Sequence, residues 1–267
     1  MLASQGWYVI GVGRDAGRCA AAEAAIRASA ADGGAIDFVR ADFDRMAEVL
    51  RCAAEIRAKT SRIDVLINNA GGVRDRRVVT TEGNEATFAS NHLAPFLLTR
   101  ELLPLLQQTA QGRPGAARVI AVSSSAHRMT PGFDWDDLQL LGRADFNAGV
   151  AYCQAKLANI LFTRELARRL VGTGVVAQAM HPGIVDSNFA SHGDEHLQAT
   201  MRSRELQPPE VPARTLVWLA TAAEAGVDAG RYFFDMREEE PAPQALDDEA
   251  ARRLWSESEK LLDALTA

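Results

Sequence analysis

At 267 residues, with 47% hydrophobic and 24% charged side chains, the chain suits one α/β domain with an ample core and gives no sign of a second domain. A formal net charge of −6, with the basic residues spread along the chain, argues against a general nucleic-acid or anionic-membrane surface. Three cysteines, an odd number, imply free thiols in a reducing, cytoplasmic setting, and neither a signal peptide nor an apolar run of about 18 residues is present.

In chain order, short apolar strands are expected at 7–13, 35–40, 63–67, 118–122, 174–180 and 231–234. Helical patterns separate them, as in a parallel sheet built from right-handed crossovers. A long helix is predicted over 82–108, and an amphipathic one over 246–262 with Leu254 and Trp255 as packing anchors. The least regular stretches, 128–147 and 187–209, are expected as loops facing a substrate.

The chemistry gathers at strand ends, where ligands bind in open α/β sheets. The strand at 63–67 runs into Asn68-Asn69-Ala70-Gly71-Gly72, small residues and amides that permit close approach to a flat ligand. Asn91 lies in the long helix, and the strand at 118–122 ends in Ser123-Ser124-Ser125. Tyr152 and Lys156 stand four apart on one helix face, where an ammonium can favour a phenolate and make a proton shuttle. Met180-His181-Pro182-Gly183-Ile184-Val185 is a strand end followed by a rigid turn.

In this order the residues resemble the short-chain dehydrogenase/reductase family. The signatures are Asn68-Asn69-Ala70-Gly71, the helical Asn91, the serine after the strand, Tyr152-x-x-x-Lys156 and Pro182-Gly183. The residues from Tyr152 to Leu170, Asn91-His92-Leu93 and the tail from Gly230 to Trp255 are similar to its retinol-dehydrogenase-like and WW-domain-oxidoreductase-like branch, and the resemblance covers nearly the whole chain. It implies a doubly wound, Rossmann-like parallel sheet in one domain and an NADP(H)-dependent oxidoreductase interconverting an alcohol and a carbonyl on a lipophilic small molecule.

The resemblance also implies residue roles. Tyr152 would pass the proton, Lys156 would lower its pKa and hold the nicotinamide ribose, and Ser124, ahead of Ser123 or Ser125, would bond the carbonyl oxygen. Asn91 would anchor a water leading to Lys156, or else bond a helix carbonyl as a buried amide does. Arg14, with no acid at Gly13, favours the 2′-phosphate of NADP over NAD. Asp42 would meet the adenine or cap a helix; Asn69, Ala70 and Gly71 would face the adenosine ribose. Pro182, Gly183, Ile184, Val185 and Ser187 would meet the nicotinamide end. Faces of the helices carrying Asn91 and Tyr152 would serve a homo-oligomer.

The family's first strand and glycine-rich phosphate loop are missing from this reading, because residues 1–7 resemble the last turn of the helix that follows them. Strands flanking the lost central strand should keep unpaired edges or close a gap of roughly 4.8 Å per strand spacing. Gly11, Gly13 and Gly17 are a weak substitute loop. A non-catalytic remnant or scaffold without cofactor binding is therefore the alternative function. His192-Gly193-Asp194-Glu195-His196 matches a zinc-protease pattern, but Gly193 and polar flanks argue against it, so no metal is expected.

Overall fold

The computed structural model describes residues 1–265, apart from the side chains of Ala190, His192, His196 and Leu197. A 3-10 turn at Ala3–Gln5 leads into β1 (Tyr8–Gly13), followed by α1 (Ala16–Ser29), β2 (Ala35–Arg40), α2 (Met46–Lys59) and β3 (Val65–Asn68). Next come a single turn α3 (Ala86–Phe88), α4 (Ala94–Ala110), β4 (Ala117–Val122), α5 (Ala148–Arg169) and β5 (Val175–Met180). The chain ends with α6 (Glu195–Arg202), α7 (Glu210–Thr221), β6 (Tyr232–Phe234), β7 (Arg237–Glu238) and α8 (Asp248–Asp263).

The parallel strands form two ladders. β1 pairs with β2 from Tyr8↔Ala35 to Gly13↔Arg40, while β3, β4, β5 and β6 follow one another and β7 closes the edge antiparallel. No backbone ladder joins β1 to β3. Every residue of β4 and β5 is buried, whereas β1 and most of β3 are only partly so. Alternation in β4 feeds two cores: Val119 and Ala121 join the cluster built with α2, α4, α5 and α8, and Ile120 and Val122 join Leu219 and Phe233 on the other face.

The long helix begins later than its sequence pattern suggests, because its acids act as caps. Glu85 accepts N–H bonds from Thr87 (3.0 Å) and Phe88 (2.8 Å), and Glu82 instead caps α2 through Met46 (2.7 Å) and Ala47 (3.0 Å). Between α3 and α4 the chain widens into a π turn, Ala89–Leu93. Pro95 has no N–H for the carbonyl of Asn91, and that break in the ladder accounts for the wide turn at the one amide singled out above. The stretch 187–209 is more ordered than expected: it holds a 3-10 turn and α6, whose first-turn Glu195 and last-turn Arg202 suit the helix dipole.

α8 lies over α5 and the start of α4. Trp255 packs on Phe96 (ring centroids 4.7 Å apart) and stacks on Phe162 (5.8 Å), with the Arg169 guanidinium 4.3 Å over its ring. His92 bonds Ser258 at 2.8 Å. The chain's own last helix thus packs on both α4 and α5. Arg164 and Arg168 are likewise engaged, both by Asp248. Trp255→Ala should cost about 3–5 kcal/mol, read as a lowered urea midpoint with a near-constant slope.

Candidate active site

Four elements converge at the carboxyl end of β4. Asn147 caps α5 by accepting the Val150 N–H at 3.0 Å, and the buried Leu157, Ile160, Leu161 and Leu166 hold the helix against the sheet. That orientation turns Lys156 inward to 4% exposure, where its ammonium donates to the Val122 carbonyl at 3.2 Å and lies 5.6 Å from the Tyr152 ring centroid. Gly71 closes the cluster from β3: a Cβ there would fall 2.5 Å from Asn91 Oδ1 and 2.9 Å from Lys156 Nζ. Only glycine admits such an approach.

The three serines divide their work. Ser123 is buried and donates to the Lys156 backbone carbonyl at 2.7 Å, while Ser125 is exposed at the start of a 3-10 turn. Ser124 alone of the three acts on the Tyr152 phenol, opposing the effect of burial on it, and its hydroxyl accepts the Ala126 N–H at 3.2 Å. Asn91, wholly buried, donates to the carbonyls of Gly72 (2.9 Å) and Thr87 (2.8 Å) and accepts the Gly72 N–H at 3.1 Å. It behaves as the helix amide of the plainer expectation and also pins the loop that carries Gly71.

One electrostatic expectation is corrected. Burial pushes the Tyr152 phenol up to about 12, with the Ser124 hydrogen bond opposing, and Lys156 does not bring it below its ordinary value. The ammonium points at Val122 rather than at the phenolic oxygen, and its own burial lowers it to about 8. The phenol is thus set to donate a proton at neutral pH.

The other predicted residues line the same rim. Asn69, Ala70 and Gly71 are exposed after β3. Gly183 has φ +74°, and Gln207 fastens its turn by donating its side-chain amide to the Pro182 carbonyl and its backbone N–H to Ile184 at 3.0 Å. Val185 bridges Gln207, and Ser187 accepts the Phe189 N–H at 3.4 Å. Sequence reasoning missed Phe189, whose ring lies 5.0 Å from that of Tyr152. The signal for it was an aromatic residue two positions after Ser187 in a largely polar loop.

At the far end Arg14 follows β1 and is 46% exposed, with Asp42 at 3.6 Å and Asp44 at 3.8 Å. Asp42 is not a helix cap, since α2 starts from Arg45. The residues fit a nicotinamide cofactor at its two ends: an open rim beside Gly71 and an exposed guanidinium after β1. The turn after β1 does not fit as the phosphate cradle. A Cβ at Gly11 would meet the Phe38 ring and one at Gly13 the Cys19 sulfur, each at 2.6 Å, so these glycines serve strand packing. The Asp15 carboxylate already takes the Arg18 N–H at 2.8 Å, placing a negative charge where an anion would bind the helix start.

Among the described residues no group of three or more metal-ligating side chains is arranged for an ion, and the two imidazoles of the zinc pattern, His192 and His196, lie outside the described side chains. Cys19, Cys52 and Cys153 are buried free thiols. No described helix is long and apolar enough to cross a membrane.

A family model described as short chain dehydrogenase matches residues 1–133. Human retinol dehydrogenase 13 is 38% identical across 98% of this chain and 78% of its own length. Human retinol dehydrogenase 14 is 38% identical over 84% of this chain and 66% of its own. Among solved structures, an uncharacterised Mycobacterium paratuberculosis protein superposes with TM-score 0.75 at 32% identity, covering 98% of this chain and 86% of that one. Pseudomonas aeruginosa RhlG, solved as an NADP active-site complex, gives TM-score 0.67 at 27% identity over 87% of this chain and 86% of its own.

The depressed lysine has a consequence for stability. Below about pH 8 Lys156 is charged in both folded and unfolded chains, and the fold bears its desolvation. Between about 8 and the ordinary value of 10.5 only the unfolded chain holds the proton, so this residue's contribution to stability rises with pH. Lys156→Met should therefore stabilise the protein at pH 7 by about 1–3 kcal/mol, an advantage that shrinks by pH 10. Urea unfolding of both proteins at the two pH values measures it.

Proposed function

The chain belongs to the short-chain dehydrogenase family and is an oxidoreductase interconverting alcohols and carbonyls; we propose that it works with NADP(H) on a lipophilic, retinoid-like small molecule. The observation that carries the reading is the cluster around the end of β4, in which the buried Lys156 ammonium lies 5.6 Å from the Tyr152 ring and against Gly71, with Ser124 acting on the phenol.

When bound, a nicotinamide cofactor supplies or accepts the hydride. In carbonyl reduction Tyr152 gives its proton to the substrate oxygen, while the Ser124 hydroxyl bonds that oxygen and opposes charge build-up on it. Lys156, cationic at neutral pH, would hold the ribose hydroxyls from beneath. Asn91 acts through the backbone, holding Gly72 so that the preceding glycine can lie against the ammonium. The turn at Pro182–Val185 and the hydroxyl of Ser187 serve the carboxamide end, and Asn69 and Ala70 serve the ribose on the adenine side. The Phe189 ring over Tyr152 supplies an apolar wall that suits a lipophilic substrate and excludes water from the phenol.

Two observations support NADP over NAD: the exposed Arg14 guanidinium after β1, where no carboxylate stands at Gly13, and the NADP complex of the similar RhlG structure. The three buried free thiols support a reducing, cytoplasmic setting. A second reading, a scaffold without cofactor binding, is favoured by the unjoined β1 and β3 and by the absence of a phosphate cradle after β1.

Fluorescence titration with NADPH and NADH separates the two readings. Saturable micromolar NADPH binding, weakened about tenfold or more by Arg14→Ala with little change for NADH, is expected; no binding of either nucleotide overturns the NADP(H) reading of this chain. With all-trans-retinal as the carbonyl, Tyr152→Phe should lower kcat by about 100-fold or more while leaving NADPH affinity within about threefold.

A further inference from the structure

Ser124 owes its place to more than the strand that precedes it. It caps the 3-10 turn Ser125–Met129 from an extended backbone, φ −157° and ψ 153°. Within that turn His127 is wholly buried, and its ring folds back so that Nδ1 lies 2.7 Å from the Ser124 carbonyl oxygen. The other ring nitrogen, Nε2, lies 3.0 Å from the backbone nitrogen of Ala242, which belongs to the segment between β7 and α8.

The two contacts settle the proton. A carbonyl oxygen only accepts, so Nδ1 carries the hydrogen; the Ala242 N–H only donates, so Nε2 is bare. His127 is therefore a neutral ring in one tautomer, with a donor on the serine and an acceptor on the C-terminal segment. The Tyr232 ring packs on it edge-on, centroids 5.2 Å apart. Further bonds tie the same two segments: Arg128 to the Glu239 carboxylate (2.5 Å) and the Glu240 carbonyl (2.6 Å), and Gln244 to the carbonyls of His127 (3.4 Å) and Thr130 (2.5 Å).

The charged and titratable groups facing the ring are Arg128 from its own turn, His181 after β5, and Tyr232 and Glu239 from the β6–β7 region. Burial holds the imidazole below its ordinary range, Arg128 and His181 act in the same direction, and the Ser124 bond and Glu239 oppose them. The ring stays neutral at physiological pH, so both hydrogen bonds persist there.

We propose that His127 is a positioning residue for the reaction: it clamps the Ser124 carbonyl to the C-terminal strap at 239–244 and so aims the serine hydroxyl at the Tyr152 phenol. The inference rests on the reading of Ser124 and Tyr152 as the proton-transfer pair. The ring touches neither substrate nor phenol; it acts through the backbone of the residue that does. A histidine that merely filled the core would need neither nitrogen in a set state, whereas this one uses both, and on the serine it links to a distant segment.

Two variants and one spectrum test it. His127→Phe keeps a flat ring and removes both hydrogen bonds; His127→Asn keeps a donor near Ser124 and loses the link to Ala242. With NADPH and all-trans-retinal, His127→Phe should lower kcat about 10–100-fold with the KM for NADPH within about twofold. In retinol oxidation the rise of rate with pH should shift upward by about one unit or less, because the Ser124 bond no longer holds the phenol down. His127→Asn should recover most of kcat and return the limb toward its wild-type position. Independently of activity, two-bond proton–nitrogen spectra of the wild-type protein should place the His127 hydrogen on Nδ1 from pH 6 to 8.

A hydrogen found on Nε2 overturns the proposal, as does a His127→Phe enzyme whose kcat and pH limb match wild type. So does a loss of kcat that follows a drop in Tm while the limb stays put. Turnover abolished by Tyr152→Phe but kept by His127→Phe removes the positioning role alone. A wild-type chain without turnover, or turnover that Tyr152→Phe leaves intact, overturns the proton-transfer reading and the role of His127 with it.

Discussion

A lysine ammonium at 4% exposure is costly to bury, and the arrangement around β4 is organised by that cost. α5 can hold Lys156 inward only because the strand end offers a carbonyl acceptor at Val122 and because Gly71 leaves room above the ammonium. Gly71 in turn stays close because Asn91, presented from the π turn, bonds Gly72 through both its donor and its acceptor. Moving any one of these elements would leave a buried charge or amide without its partner. The site is thus a set of mutually dependent contacts rather than side chains projecting independently from a scaffold.

The same dependence extends to the C-terminal third of the chain. α8 seats Trp255 against Phe96 and Phe162, and so clamps α4, which follows the π turn of Asn91, to α5, which carries Tyr152. Just before it, the strap at 239–244 is stitched to the turn behind Ser124 by Arg128, Gln244 and His127. His181, just after β5, stacks on Phe234 and on Tyr232 and reaches the Glu239 carboxylate at 3.2 Å. Segments remote in sequence therefore set the position of the phenol and the serine from behind, leaving the rim lined by Asn69, Ala70, Gly71 and Pro182 open to a ligand.

Against this tight centre stands the looser junction between β1 and β3. The two ladders share apolar packing, with Ile10, Val12 and Leu66 against the larger core and Leu2, Val65 and Ile67 against the smaller one, but no backbone bonds. The residues proposed to meet a cofactor consequently fall into two groups: Arg14 and Asp42 beside the two-stranded ladder, and the cluster of Ser124, Tyr152 and Lys156 on the other. Affinity for a dinucleotide would have to span both groups, whereas proton transfer depends on the second alone.

Much of this was legible in the sequence because the signals are local. Strand ends followed by Asn68-Asn69-Ala70-Gly71, by three serines and by Pro182-Gly183 mark one edge of a parallel sheet, and β2 falls where its apolar run predicts. Helical spacing alone put Tyr152 and Lys156 on one face, and their order with Asn91 and Ser124 identified the family and the class of chemistry. What only the tertiary structure decided depends on contacts between distant residues. That Ser123 turns away to the Lys156 carbonyl follows from the packing of α5 on β4. The raised phenol follows from burial that no spacing rule encodes, and the Phe189 wall from a loop folding back. The clamp through His127 follows from a backbone N–H 115 residues away, since a tautomer is set by the groups around a ring and not by its neighbours in the chain.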